Sequence, residues 1–106
     1  MAKYLVQASY TAEGLKGLIK DKAAARVAAA KKAVSSAGGK MEAFYWALGD
    51  DDAIIIADYP DAESAAALGI AVSSSGLVRT KTTRLLTSEE IDSALAKTVN
   101  YRAPGK

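Results

Sequence analysis

"GKMEAFYWALGDDDAIIIADYP", residues 39–60, decides the fold. Two runs rich in aromatic and β-branched residues, 39–48 and 52–59, flank Gly49-Asp50-Asp51, a composition and spacing that read as a β-hairpin. Pro60 cannot donate to a strand ladder and closes the second strand. The same reading makes the aspartate triplet a turn rather than a metal cage. Neighbouring carboxylates on extended chain point to opposite faces, and no alternating acidic frame with a distal glutamate follows. A weak divalent site shared between subunits is the alternative. As a turn residue, Asp51 should tolerate asparagine with a stability change below about 0.5 kcal/mol. Asp52 opens the second strand and is expected to face Arg79, Lys81 or Arg84 from a neighbouring strand.

Working outward, residues 3–10 ("KYLVQASY") alternate as a first strand. Thr11 is placed to cap a short helix weakened by Gly14 and Gly17. The alanine-rich stretch 22–39 then predicts a longer helix, with Ala23, Val27, Ala30 and Val34 on its apolar stripe, Arg26, Lys31 and Lys32 off it, and Gly38-Gly39 as its stop. Beyond the hairpin, Asp61 caps a helix over 61–72. Residues 77–86 ("LVRTKTTRLL") form a fourth strand by their β-branched content. "TSEE" (87–90) is a capping box that opens a last helix reaching about Lys97. From Asn100 on, Pro104 and Gly105 read as a flexible tail. The domain is therefore expected over residues 1–99 and the tail over 100–106. The order is β-α-β-β-α-β plus a terminal helix: an α+β, ferredoxin-like split βαβ with a four-stranded antiparallel sheet and its helices on one face.

Composition narrows the chemistry. The 106 residues include no cysteine and no histidine. Disulfides, thiolate nucleophiles, imidazole metal ligands and the commonest general base near neutral pH are thereby excluded. No catalytic residue, resident metal or cofactor is expected. A net charge of +2 is too small for a nonspecific nucleic-acid binder. No apolar run approaches the roughly 20 residues needed to span a bilayer, and Met1 to Tyr10 lacks the apolar core of a secretion signal. A cytoplasmic protein is expected.

The charge is unevenly spread. Residues 1–40 hold eight Lys/Arg against two acids, residues 41–75 hold seven acids and no base, and residues 76–106 hold six bases against three acids. Such blocks neutralise one another within one chain or form complementary subunit surfaces. Strict alternation puts Phe44, Trp46 and Leu48 on the helix side of the second strand, and Met41, Ala43, Tyr45 and Ala47 on the open side. The open face is then apolar where a lone antiparallel sheet should be polar. A second copy of the chain is the expected cover, through Met41, Ala43, Tyr45 and Ala47.

The hairpin "AFYWALGDDDAIII", the helix end "SSAGGK", the step "YPDAESAAALGIAV" and the strand "GLVRTKTTRLLT" together resemble the GYD-domain family from about Lys3 to Ala96. In that family the hairpin reads glycine, any residue, tyrosine, aspartate. Gly49, Asp50 and Asp52 fit the frame, and Asp51 stands in the tyrosine's place. The resemblance implies a dimeric α/β-barrel type of ferredoxin-like protein and a homo-oligomer, and it supplies no reaction.

The expected function is a noncatalytic homo-oligomeric module for small-molecule binding or assembly. The alternative is a small cofactor-independent enzyme, of oxygenase, isomerase or decarboxylase type, with its cleft between helices and sheet. Candidate ligand-binding residues are Tyr4, Phe44, Trp46, Asp52, Arg79 and Arg84. The alanine-rich helix, with its stripe around Val27, either packs close to the sheet or leaves room for a ligand.

Overall fold

A computed structural model describes residues 1–106. The elements are β1 (Ala2–Tyr10), α1 (Ala12–Asp21), α2 (Ala23–Ser36), β2 (Lys40–Trp46), β3 (Ala53–Tyr59), α3 (Ala62–Ser74), β4 (Val78–Leu85) and α4 (Ser88–Leu95). The fold is α+β. Its one sheet has the order β2-β3-β1-β4, and every neighbouring pair is antiparallel. No helix is long and apolar enough to cross a membrane.

Local chemistry sets the element ends. The Thr11 hydroxyl accepts from the Gly14 N–H and opens α1, and the Asp61 carboxylate accepts from the Ser64 N–H and opens α3. The Ser64 hydroxyl and then this N–H hold the Asp61 carboxyl below its ordinary range. Thr87 and Glu90 form the reciprocal capping box of α4. The Thr87 N–H, aided by the Arg84 guanidinium, keeps Glu90 below the usual carboxylate range. Lys22, with φ 75°, breaks the helical path between α1 and α2. Gly38, with φ 81°, takes the left-handed position that ends α2 at no steric cost.

The hairpin is present, with a longer connection than the sequence suggests. Trp46 pairs with Ala53, so Ala47 to Asp52 form the loop, closed by Ala47 N–H donating to the Asp52 carbonyl at 2.8 Å. Leu48 sits in that loop, fully exposed, rather than extending the helix-side row. The register shifts between Met41 and Ala43, which makes Glu42 the extra residue of a β-bulge. One extra residue inverts the alternation on one side of it. Met41, opposite Ala57, therefore packs against the core on the helix side, a correction to its expected place on the open face. Ala43 and Tyr45, opposite Ile56 and Ile54, remain on the open side. Ala47 belongs to the loop.

The core is small. Tyr4, Val34, Ala57, Tyr59 and Ala65 form its buried cluster, with the Tyr4 and Tyr59 rings edge to face at 5.6 Å. It lies where α2 ends and α3 begins. α2 rests on β2 and α3 on β4, so the helices diverge from this point and leave the central strands β1 and β3 partly unroofed. α4 has no extensive packing against any other element. It is held to β4 by its cap and by the 2.8 Å ion pair between Arg84 and Glu90, and the molecule is accordingly long, 57 × 32 × 23 Å.

Gly14 is more than a weak helix residue. It is buried, and a Cβ there would lie 2.0 Å from the Leu77 carbonyl oxygen. That carbonyl accepts the Thr11 N–H at 2.9 Å, so α1 is clamped to the segment entering β4. Alanine at this position gains about 1 kcal/mol in helix propensity. Gly14→Ala should nevertheless destabilise by about 1–3 kcal/mol, because backbone must move to admit the methyl group. Urea denaturation measures it. An unchanged midpoint would show that the clamp gives way without cost.

Candidate functional site

The inner sheet face supplies the floor of the site. Register places Val6, Ala8, Tyr10, Phe44, Ala53, Ile55, Val78, Thr80 and Thr82 on the side facing the helices. Above the centre of this floor the residues of α2 are small: Ala29, Ala30 and Ala33. On α3 they are Ala65, Leu68, Gly69 and Val72. A cavity of about 120 Å³ lies between them. Where Ala8 and Ala53 lie opposite Ala30 and Ala33, too little side chain is present to fill the space between helices and sheet.

The walls are mainly apolar, with a few polar groups. Tyr59, which is 1% exposed, contributes a ring; its hydroxyl has no hydrogen-bond partner within the protein, and burial pushes the phenol's pKa up. Thr80 lies 3.4 Å from the Ser73 hydroxyl, and Thr82 follows it along β4. Arg26 is among the lining residues. No aspartate, glutamate or lysine is among the lining residues. The site can therefore hold an apolar body and offer it donors. It lacks a carboxylate or amine for general acid–base work.

Of the expected ligand-binding residues, the structure brings only Phe44 to this cavity. Trp46 stacks outside it, its ring centroid 5.0 Å from that of Phe44 and 6.1 Å from that of Tyr10. Tyr4 belongs to the buried core, with the Arg84 guanidinium 5.8 Å from its ring centroid. Arg84 is thus committed to Tyr4 and Glu90. Arg79, opposite Ser9, is on the open face and borders a polar depression with Ser9, Asp50, Asp51, Thr80 and Lys81. Arg26, Tyr59, Thr80, Thr82 and the α3 stripe line the cavity without having been expected from the sequence. One signal for them exists: in residues 78–84 the helix-facing positions read Val, Thr, Thr, Arg, too polar for a sealed core.

The aspartates part company. Asp52 does not meet Arg79, Lys81 or Arg84. Its carboxylate accepts the Tyr10 N–H at 2.8 Å, and its own N–H donates to the Ala8 carbonyl at 2.8 Å. Asp51 folds over the open face, where it accepts from Gln7 at 3.2 Å and Ser9 at 3.0 Å and pairs with Lys81 at 3.2 Å. Its side chain is only 11% exposed. Asp51 therefore joins the hairpin loop to β1 and β4, a larger role than that of a simple turn residue.

The chain's affiliation follows from its whole length. The family model of the GYD domain matches residues 4–95. The chain belongs to the GYD family. Comparison with curated proteins and with solved structures returned no match. The GYD match spans every element that builds the cavity, from Tyr4 in β1 through α4. Its hairpin glycine and aspartate, Gly49 and Asp52, sit in the loop, where Asp52 ties the end of β1.

Because three groups converge on Asp51, Asp51→Ala should cost about 1–2 kcal/mol, within the range for hydrogen bonds to charged groups after allowance for solvent. Asp50→Ala, at an exposed position, should stay within about 0.5 kcal/mol. Paired thermal melts check both. Equal effects would return Asp51 to the status of a turn residue.

Proposed function

We propose that this GYD-family protein is a noncatalytic, homo-oligomeric module that binds a small molecule in the cavity between α2, α3 and the sheet. The observation that carries the reading is the cavity itself: an apolar chamber of about 120 Å³ beneath an alanine roof. Cavities of this kind are costly to leave unfilled. Its lack of acidic or lysine side chains supports binding over catalysis.

The open face of the sheet supports the oligomer. Leu5, Ala43, Tyr45, Ile54 and Ile56 occupy its centre by register, and Tyr45 is 68% exposed. One end carries Lys3 bonded to Glu42 and Asp58, whose carboxylates hold the Lys3 ammonium above its usual range. The other end carries Asp51 with Lys81, and Arg79 beside them. With Lys40 opposite Asp58 and Asp50 beside Asp51, charges balance at each end, so the apolar centre is framed by two neutral polar clusters.

A ferredoxin-like dimer joined sheet to sheet, of the α/β-barrel type, fits both the topology and the patch.

Two measurements test the proposal. Light scattering should return at least twice the 11.0 kDa chain mass, and Tyr45→Glu should lower it to one chain without unfolding the protein. An 11.0 kDa wild type at every concentration removes the oligomer. For the cavity, Ala30→Leu should be neutral or stabilise by up to about 2 kcal/mol, as cavity-filling changes do. A loss above about 1 kcal/mol, the lower end of the overpacking range, shows that no room exists there.

A further inference from the structure

The cavity wall contains one group that an apolar ligand alone does not require. Arg26 lines the chamber and is half-buried. No carboxylate lies within ion-pair distance of its guanidinium. An arginine carries its charge at all accessible pH values, and a charge partly withdrawn from water without a partner is costly. Arg84, on the inner face of β4, is matched with Glu90; Arg79 and Arg102 have no ion pair either, but Arg26 alone of the four arginines lines the chamber.

We infer that the cavity takes a small amphipathic carboxylate, its apolar body over Ala30, Ala33 and Leu68 and its head group paired with Arg26. This rests on the cavity being the binding site proposed above. Three further observations support it. The guanidinium fork matches a carboxylate in a two-point contact that a lysine cannot reproduce. α1, α2 and the residue between them carry Lys16, Lys20, Lys22, Arg26, Lys31 and Lys32 against Glu13 and Asp21, and no acid lines the chamber. The local field therefore draws anions and repels cations. Along α2, Val34 is packed in the buried cluster with Ala65 and Tyr59, and Arg26 stands about two helical turns before it, away from that cluster.

Volume limits the body of the ligand. A cavity of roughly 150 Å³ holds benzene, whereas pockets for drug-sized ligands start at about 300 Å³. At about 120 Å³ the chamber admits a single ring or a short branched chain, and the head group must sit at the arginine rather than inside.

Amide NMR titrations with benzoate, phenylphosphonate, benzyl alcohol and benzylamine test the assignment. Benzoate should perturb Ala30, Ala33 and Gly69, and bind about tenfold or more tighter than benzyl alcohol, the increment expected of one charge-assisted contact. Benzylamine should bind weakest. Arg26→Gln should reduce benzoate to the level of benzyl alcohol and leave benzyl alcohol unchanged, and Arg26→Lys should restore part of the difference. Benzyl alcohol binding as tightly as benzoate, or Arg26→Gln without effect, overturns the anion assignment while the cavity stands. Phenylphosphonate binding well above benzoate overturns the carboxylate. If none of the four perturbs the cavity amides, the binding-site reading fails, and this inference fails with it.

Discussion

Between α2 and the central strands, alanine faces alanine. Ala8 and Ala53 are buried in the floor of β1 and β3, and Ala29, Ala30 and Ala33 line the roof. Close-packed interiors normally interlock large side chains with small ones across an interface. Here Ala8 and Ala53 lie opposite small side chains of α2, while Val6 and Ile55 on the same strands, Phe44 on β2 and Leu68 on α3 carry the larger volume. The cavity stays open between them. The diverging helices, the cavity and the smallness of the buried cluster all follow from where side-chain volume is missing.

The two faces of the sheet divide the work. The inner face is shaped by hydrophobic contact and carries the chamber. The outer face is an apolar strip framed by Lys3–Glu42–Asp58 at one end and Asp51–Lys81 at the other. Exposed ion pairs of this kind add little to the stability of a single chain. The loop aspartates link the two faces, since Asp52 ties the end of β1 and Asp51 spans to β4.

Features governed by neighbours along the chain are legible in the sequence itself. The caps at Thr11, Asp61 and Thr87, the glycine stop at Gly38, the hairpin around Gly49 and the strand end at Pro60 all depend on a few adjacent residues, and all are observed. What stays hidden depends on partners far along the chain. Nothing in "KMEAF" marks Glu42 as a bulge, because a bulge is a mismatch of two strands, and it moves Met41 to the other face. Arg26 falls off the apolar stripe of α2 by spacing, and a charge is ordinarily solvated; its place against the sheet is set by how α2 tilts over β2. Gly14 looks like a local weakness in sequence, and its reason lies 63 residues on, at Leu77. Asp51 resembles any loop acid until β1 and β4 supply its partners.

The position of β1 has a consequence for how the chain is made. It is the first strand of the sheet to be synthesised, yet it lies inside the sheet, paired on one side with β3 and on the other with β4. Its pairing with β4 joins Lys3 to Leu85 and Tyr10 to Val78, among the most sequence-distant contacts in the fold. A nascent chain that has emerged through Tyr59 can assemble β2, β3 and β1, but one flank of β1 then remains an unpaired edge. Such edges are where growing chains associate wrongly. The clamp between Gly14 and Leu77 holds the segment entering β4 beside that edge, so closing the clamp and covering the edge go together.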